Sequence, residues 1–348
     1  MIGRMWIVCL GSVCAGCLLM TDQTRAGDAP IDNVVLGIHG GISPRRKDLS
    51  PEEEQAVREV LTNALRTGKA QLDSTGSSLD AVEAAIRIME DSPLLNAGKG
   101  AVFTREGRNE LDASIMEGTA KRAGAVAGVT VIRNPITAAR AVMEKSPHVL
   151  LMGRGAEVFA TQQGLDIVDP AYFWTEPRWR EIQKLWEAEK SGTSAISRPD
   201  GLDQTGPTAQ EYSTVGAVAR DAQGHLAAGT STGGRTGKAF GRIGDSPIIG
   251  AGTYADDAAA AISCTGHGEY FIRLAVAHEI VAQMKYRGNS VSVAANDVIE
   301  RQLTEAGGTG AAIVLDHQGR FVTSYNTDGL YRGAITQAGE VTVRLFGE

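Results

Sequence analysis

Residues 191–213 read SGTSAISRPDGLDQTGPTAQEYS, and TVGAVARDAQGHLAAGTST follows at once. The first run has almost no large apolar residue and no period. It is long for a connection inside a compact domain, so it reads as a linker or exposed loop. The second run reads as a β-hairpin turning at AQG. The chain therefore passes from its least ordered stretch into a strand within one residue, and Thr214 stands on that lip. Any fold for this chain must place a hydroxyl at the join.

The chain has 348 residues, enough for a full hydrophobic core, with 43% apolar and 22% charged residues. A net charge of −7 argues against wholesale nucleic-acid binding. The first 26 residues stand apart. Arg4 precedes an apolar run that ends near Met20, and Thr24-Arg25-Ala26 offers a small-residue cut. This resembles a secretory signal peptide covering 1–26, which implies a secreted or periplasmic protein. A lipoprotein with Cys17 as the anchor and an uncleaved membrane anchor are the alternatives. Cys9, Cys14 and Cys17 fall in this leader, so only Cys264 remains and the mature chain has no internal disulfide.

Further along, NVVLGI (33–38) reads as a buried strand that leads into His39-Gly40-Gly41. Ser50, Pro51 and Glu53 form a helix start with a capping box. A second helix spans Leu79 to Glu90, and PLLNAGKGAVF then breaks the period. VAGVTVI (126–132) reads as a strand, 135–145 as a helix that Ser146-Pro147 ends, and 176–190 as an amphipathic helix. Two late helices (268–286 and 291–305) precede a hairpin, GAAIVLDHQGRFVTSY. Strands, then helices, then strands suggest two sheets packed between helix layers.

Three patterns lead nowhere. Gly229-Thr230-Ser231-Thr232-Gly233 fits a G-x-S-x-G elbow, but the residues that follow are too glycine-rich for the helix an elbow needs. His278-Glu279 lacks the second histidine of a zinc motif, and Gly237-Lys238 lacks the rest of a P-loop. His39 reads as a structural histidine at a strand end, with a catalytic role as the alternative.

Hydroxyls cluster in the second half: Thr214, Thr230, Ser231, Thr232 and Thr265, with Arg242, Asp245 and CTGHGE near them. A threonine-rich β-protein explains the strand threonines. It does not explain a Thr/Gly/Arg/Asp set in which each member borders a loop. Nucleophilic catalysis does. A threonine hydroxyl needs a base, and a freed α-amino group, with a reference pKa of about 7.7–8.0, is one. That requires a cut just before Thr214, and the 191–213 run gives it room. An Arg242/Asp245 pair also suits an amino-acid substrate, which carries one negative and one positive group on one carbon. A surface salt bridge is the plainer reading of the pair.

IHGG, LNAGKGAVFT, ELDASIMEG, AGAVAGV, RNPI, TVGAVA, TSTGG, GRIGDSPIIGAGTYA and SCTGHGE occur in this order between Val34 and Tyr331. The ordered series resembles the plant-type L-asparaginases and isoaspartyl peptidases, which are N-terminal nucleophile hydrolases. That resemblance implies an α+β, four-layer αββα sandwich in which 27–348 form one folded domain. It implies self-cleavage between Ser213 and Thr214 into an α subunit (27–213) and a β subunit (214–348), assembled as an (αβ)2 heterotetramer. The implied activity is hydrolysis of L-asparagine or of β-aspartyl dipeptides through a Thr214 acyl-enzyme. Glycosylasparaginase is the alternative within the same chemistry, and a binding protein that never matures is the non-enzymatic one.

The resemblance also implies roles. Thr214 is the nucleophile and Thr232 orients it. Thr265 and the Gly266 N–H form the oxyanion hole. Arg242 holds the substrate α-carboxylate and Asp245 its ammonium, while Gly266 and Gly268 let the backbone come close. Asn96 supports the nucleophile. No catalytic cofactor is implied. Main-chain carbonyls of Met89, Glu90, Ser92, Leu95, Ala97 and Lys99 would hold a structural sodium ion. Two residues depart from the pattern. Ser213 stands where glycine is usual, which is expected to slow maturation, and His267 lies between the two glycines of TGHGE.

Overall fold

The computed structural model describes residues 28–191 and 213–347. The leader and most of the linker lie outside the described residues.

Helix formation follows local chemistry where that chemistry is strong. Strand β1 (Val34–Ile42) leads to α1 (Pro51–Thr75). The Glu53 N–H donates to Ser50 Oγ at 3.2 Å and the Ser50 N–H to Glu53 Oε2 at 2.9 Å, so two orphan donors of the first turn are satisfied. The helix stops at Gly76, which is left-handed at φ 70°. Helix α2 (Ser78–Glu90) buries Val82, Ala85, Ile86 and Met89 on one side. Then come β2 (Leu111–Glu117), β3 (Ala123–Val129), α3 (Pro135–Lys145), β4 (Leu150–Met152), α4 (Gly153–Gln162) and α5 (Glu176–Lys190).

The second half opens with the expected hairpin, β5 (Val215–Arg220) and β6 (Leu226–Thr232). It continues through β7 (Thr253–Ala255), β8 (Ala260–Gly266), α6 (Gly268–Leu274), α7 (Val276–Arg287) and α8 (Val291–Asn296). The hairpin β9 (Gly310–Asp316) and β10 (Phe321–Tyr325) and strands β11 (Leu330–Thr336) and β12 (Val341–Arg344) finish it.

Three boundaries differ from the sequence reading. β1 runs on through His39-Gly40-Gly41, with a register shift there, because Gly41 takes φ 96°. The strand expected at 126–132 is β3 at 123–129; Gly128, at φ 62°, lies one residue before its end. The first late helix is two helices, broken at Ala275 in the left-handed region at φ 48°. After α8 the helix continues in π form over Asp297–Leu303.

The fold is of mixed α+β type. One sheet has the order β12-β11-β1-β5-β6-β2-β3-β4 and the other β10-β9-β8-β7. All neighbours are antiparallel except β3 and β4. One apolar cluster joins α1, α2 and α3 to the larger sheet through Leu36, Leu61, Leu65, Val82, Ile86 and Ile136. A second joins α6, α7 and α8 to β8 and β9 through Ile262, Phe271, Ile280, Val298 and Val314. A third holds small side chains of both sheets together, among them Val218, Ala228, Ala261 and Ala311. Small residues let the sheets approach closely. Strand β5, which starts one residue after Thr214, lies in the middle of the larger sheet between β1 and β6.

Candidate active site

Thr214 is buried at the entrance to β5, and its hydroxyl donates to Thr232 Oγ1 on neighbouring β6 at 3.1 Å. Thr232 Oγ1 also accepts the Gly234 N–H at 2.9 Å and donates its own proton to the Ser213 carbonyl at 3.2 Å. Asn96 Nδ2 donates to the same carbonyl at 2.7 Å and to the Gly234 carbonyl. Asn96 Oδ1 is fixed by the Val102 N–H, so the amide is locked at both ends. The carbonyl of residue 213 thus accepts two side-chain hydrogen bonds, one of them short.

The Ser213 side chain is buried and donates to the Gly40 carbonyl at 3.2 Å. A Cβ at Gly41 would lie 2.0 Å from Ser213 Oγ and 2.8 Å from the Thr214 nitrogen. Glycine at 41 therefore makes the space into which the serine fits.

Ser213, Thr214, Thr232, Gly234, Arg235, Arg242, Gly244, Asp245, Ser246 and Gly266 line one pocket. Thr265 Oγ1 and Asp245 Oδ2 are among the buried polar atoms that lack a hydrogen-bond partner among the described residues. Buried polar atoms are seldom left so, and an orphan hydroxyl and an orphan carboxylate oxygen beside a pocket are what a ligand's oxygen and ammonium would satisfy. Burial pushes Asp245 up to about 7, against the pull of Arg242. A Cβ at Gly268 would meet Arg242 Nη2 and Asp245 Oδ1, both at 2.9 Å, so only glycine lets the 242–245 loop and the start of α6 pack this closely.

Arg242 is not idle. Its Nε and Nη2 donate to the two carboxylate oxygens of Glu269, each at 2.9 Å. The sequence alone assigns Glu269 no role; its place in TGHGE is the available signal. Ser231, the elbow candidate, is fully buried within β6 and donates to Glu90 Oε1 at 2.6 Å. It has no access to a substrate.

His39 is buried, with Nε2 2.9 Å from Ser263 Oγ, and burial holds it neutral at about 3. Ser263 continues into a hydroxyl chain between the sheets: Thr230 at 2.7 Å, Thr253 to Thr230 at 2.5 Å, Ser114 to Thr253 at 2.8 Å, and Ser114 to the Ser246 carbonyl. Sequence reasoning noticed Thr230 but not this chain, because its members come from four separate strands. Among the described residues, no group of three or more His, Cys, Asp or Glu side chains is placed to hold a metal ion.

The comparisons agree with the geometry. A family model described as "Asparaginase" matches residues 32–344. The chain is 45% identical over 304 residues to an isoaspartyl peptidase of Salmonella typhimurium, covering 87% of this chain and 95% of the relative. It is 46% identical over 300 residues to the Escherichia coli isoaspartyl peptidase, covering 86% and 91%. A probable isoaspartyl peptidase/L-asparaginase 2 of Arabidopsis thaliana is 40% identical over 325 residues, covering 89% and 98%. With the match running through both sheets and every pocket residue named above, the chain belongs to the asparaginase family in which isoaspartyl peptidases and plant-type L-asparaginases are found.

Proposed function

We propose that this chain is a self-cleaving amidohydrolase that releases ammonia from L-asparagine and opens β-aspartyl dipeptides, with Thr214 as nucleophile on a four-layer αββα frame. The observation that carries the reading is the Ser213 carbonyl held by Asn96 and Thr232 directly before a hydroxyl bonded to Thr232. The relatives named above carry isoaspartyl peptidase and L-asparaginase names, which favours these activities over the glycosylasparaginase alternative.

Maturation begins when Thr214 Oγ1 attacks the Ser213 carbonyl carbon. The C–O bond forms, the C–N bond breaks, and the departing nitrogen takes up the proton that the hydroxyl gives up. The negative oxygen that develops lies where Asn96 Nδ2 and Thr232 Oγ1 already donate. Water then hydrolyses the ester, leaving Ser213 with a carboxylate and Thr214 with a free amine.

In the mature site the neutral amine accepts the Thr214 hydroxyl proton as the oxygen attacks the side-chain carbonyl of the substrate. The Thr265 hydroxyl and the Gly266 N–H are the proposed donors to the oxyanion. Arg242 pairs with the α-carboxylate, and the orphan oxygen of Asp245 accepts from the ammonium. Ammonia or an amino acid leaves with the proton, and water releases aspartate from the acyl-enzyme.

No catalytic cofactor enters this sequence. A structural sodium ion would be held by main-chain oxygens of Met89, Glu90, Ser92, Leu95, Ala97 and Lys99, hard donors suited to a hard cation. The Leu95 and Ala97 carbonyls each accept one main-chain N–H and keep a second lone pair for such an ion. Export directed by residues 1–26, with Cys17 as the anchor if the chain is lipidated, and (αβ)2 assembly complete the proposal. Exposed Leu150, Met152 and Val158 on β4 and α4 support a covered edge there.

The test is mass spectrometry of purified protein beside ammonia release from L-asparagine and cleavage of β-Asp-Leu. Active wild type should consist of two fragments meeting at 213/214, and Thr214→Ala should stay whole and inactive. Full activity in an intact chain would overturn the proposal.

A further inference from the structure

Arg242 has two edges through which a guanidinium can grip a carboxylate: the Nε/Nη2 side and the Nη1/Nη2 end. Glu269 occupies the first with two bonds of 2.9 Å. Nη1 donates no hydrogen bond among the described residues, and Arg242 lines the pocket beside the orphan oxygen of Asp245. His267 Nε2 lies 3.3 Å from Glu269 Oε2 on a second side. The His267 ring stacks edge-on against Tyr270 with centroids 4.7 Å apart. Gly244 and Gly268 close over the guanidinium, since a Cβ at either would sit 2.9 Å from one of its nitrogens.

We infer that Glu269, backed by His267, is the positioning residue that turns the free end of the Arg242 guanidinium toward the substrate α-carboxylate. This deepens the function proposed above and rests on it. Without Glu269 the Arg242 side chain regains several rotamers, and the residual order must be supplied when substrate binds. His267 is then part of substrate recognition at one remove. Burial works against ionisation of Glu269, but the Arg242 hydrogen bond and charge prevail and hold it down near 2, so the clamp stays charged at every working pH.

The contrary reading is that Glu269 competes with the substrate for Arg242. The two differ in sign. A positioning Glu269 predicts that Glu269→Ala raises KM for L-asparagine about ten- to a hundredfold, with kcat within about threefold of wild type. A competing Glu269 predicts that KM falls. Inhibition by L-aspartate and by β-alanine, which lacks the α-carboxylate, separates positioning from general damage. The inhibition constant for L-aspartate should rise with KM, while that for β-alanine stays within about twofold. Glu269→Gln, which keeps an oxygen facing Arg242 but loses the charge, should fall between. A lowered or unchanged KM, or equal weakening of both inhibitors, overturns the assignment. Wild type with no amidohydrolase activity would instead overturn the function on which it rests. Glu269 is half exposed at the first turn of α6, so the variants keep the fold, and fragment sizes on a denaturing gel report whether they mature.

Discussion

Asn96 Nδ2 and the carbonyl oxygen of Ser213 are 2.7 Å apart, though 117 residues separate them in the chain. The bond joins the loop after α2 to Ser213, two residues before β5, and its donor is aimed at the one carbonyl whose cleavage would free Thr214. Asn96 is therefore expected to act in maturation before it acts in turnover. Asn96→Ala removes one of two donors to a developing oxyanion, which typically costs about 10²–10³ in rate. The time course of fragment appearance after purification should slow by about that factor, and turnover per mature site should fall much less. Equal rates of cleavage in variant and wild type would remove Asn96 from the maturation step.

A second expectation concerns pH. In its proposed role Asp245 would accept the substrate ammonium only when ionised, and burial lifts it to about 7. The proposed Thr214 amine would serve as base only when neutral, with a reference value of about 7.7–8.0. Both requirements are lost as pH falls. The acid limb of log kcat/KM, which reports the free enzyme, should approach a slope of two below about pH 6.5. Asp245→Asn should leave a slope of one and a lower plateau. A slope of one in both proteins would mean that Asp245 does not titrate in this range.

Much of the frame was legible because it is local. Ser50 and Glu53 cap α1 as their spacing predicts, and the two hairpins lie where turn residues separate apolar runs. The break at Ala275 was not legible, since alanine is a strong helix former and only tertiary packing holds it at φ 48°. The pocket residues came from ordered motifs, and the structure brings Thr214, Thr232, Arg242, Asp245 and Gly266 to one cavity. What escaped was every relationship between distant strands. The Thr253–Thr230–Ser263–His39 chain depends on strand order and register, which no single run of sequence carries. Glu269 escaped for a different reason: a glutamate at the first turn of a helix has an ordinary explanation in the helix dipole.

Glu90 gives a stability expectation with a definite sign. Its carboxyl is fully buried, accepts from Ser231 and from the Ile136 N–H through Oε1, and leaves Oε2 without a partner. Burial raises it from 4.5 to about 8. The folded chain thus keeps a proton that the unfolded chain has lost, and the associated stability is complete below about pH 4.5 and drains away as pH rises toward 8. Glu90→Gln imitates the protonated form. Its Tm should exceed that of wild type at pH 8.5 and converge with it near pH 5. A constant difference across that range would show that Glu90 is ionised throughout.

The last expectation concerns Asp28, two residues past the proposed leader cut. Arg332 is 2% exposed, and Asp28 meets it with both oxygens, at 2.5 Å from Nε and 2.8 Å from Nη2. The Leu330 and Phe346 carbonyls take Nη1, and the Tyr325 ring lies over the guanidinium at 5.2 Å. Asp28 is thus the carboxylate that neutralises a buried cation, and losing it should cost about 3–5 kcal/mol, the usual penalty for an unpaired buried charge. A leader cut after Ala26 keeps Asp28; a start at residue 29 does not. A chain beginning at residue 27 should melt with the stability of a longer precursor, while Asp28→Ala and a chain beginning at 29 should both melt several degrees lower. Replacing the partner as well, in Asp28→Ala with Arg332→Met, should recover part of the loss, because an apolar side chain needs no counter-ion there. If Asp28→Ala melts with wild type, the pair is dispensable and Arg332 is held by its two carbonyls and the Tyr325 ring alone.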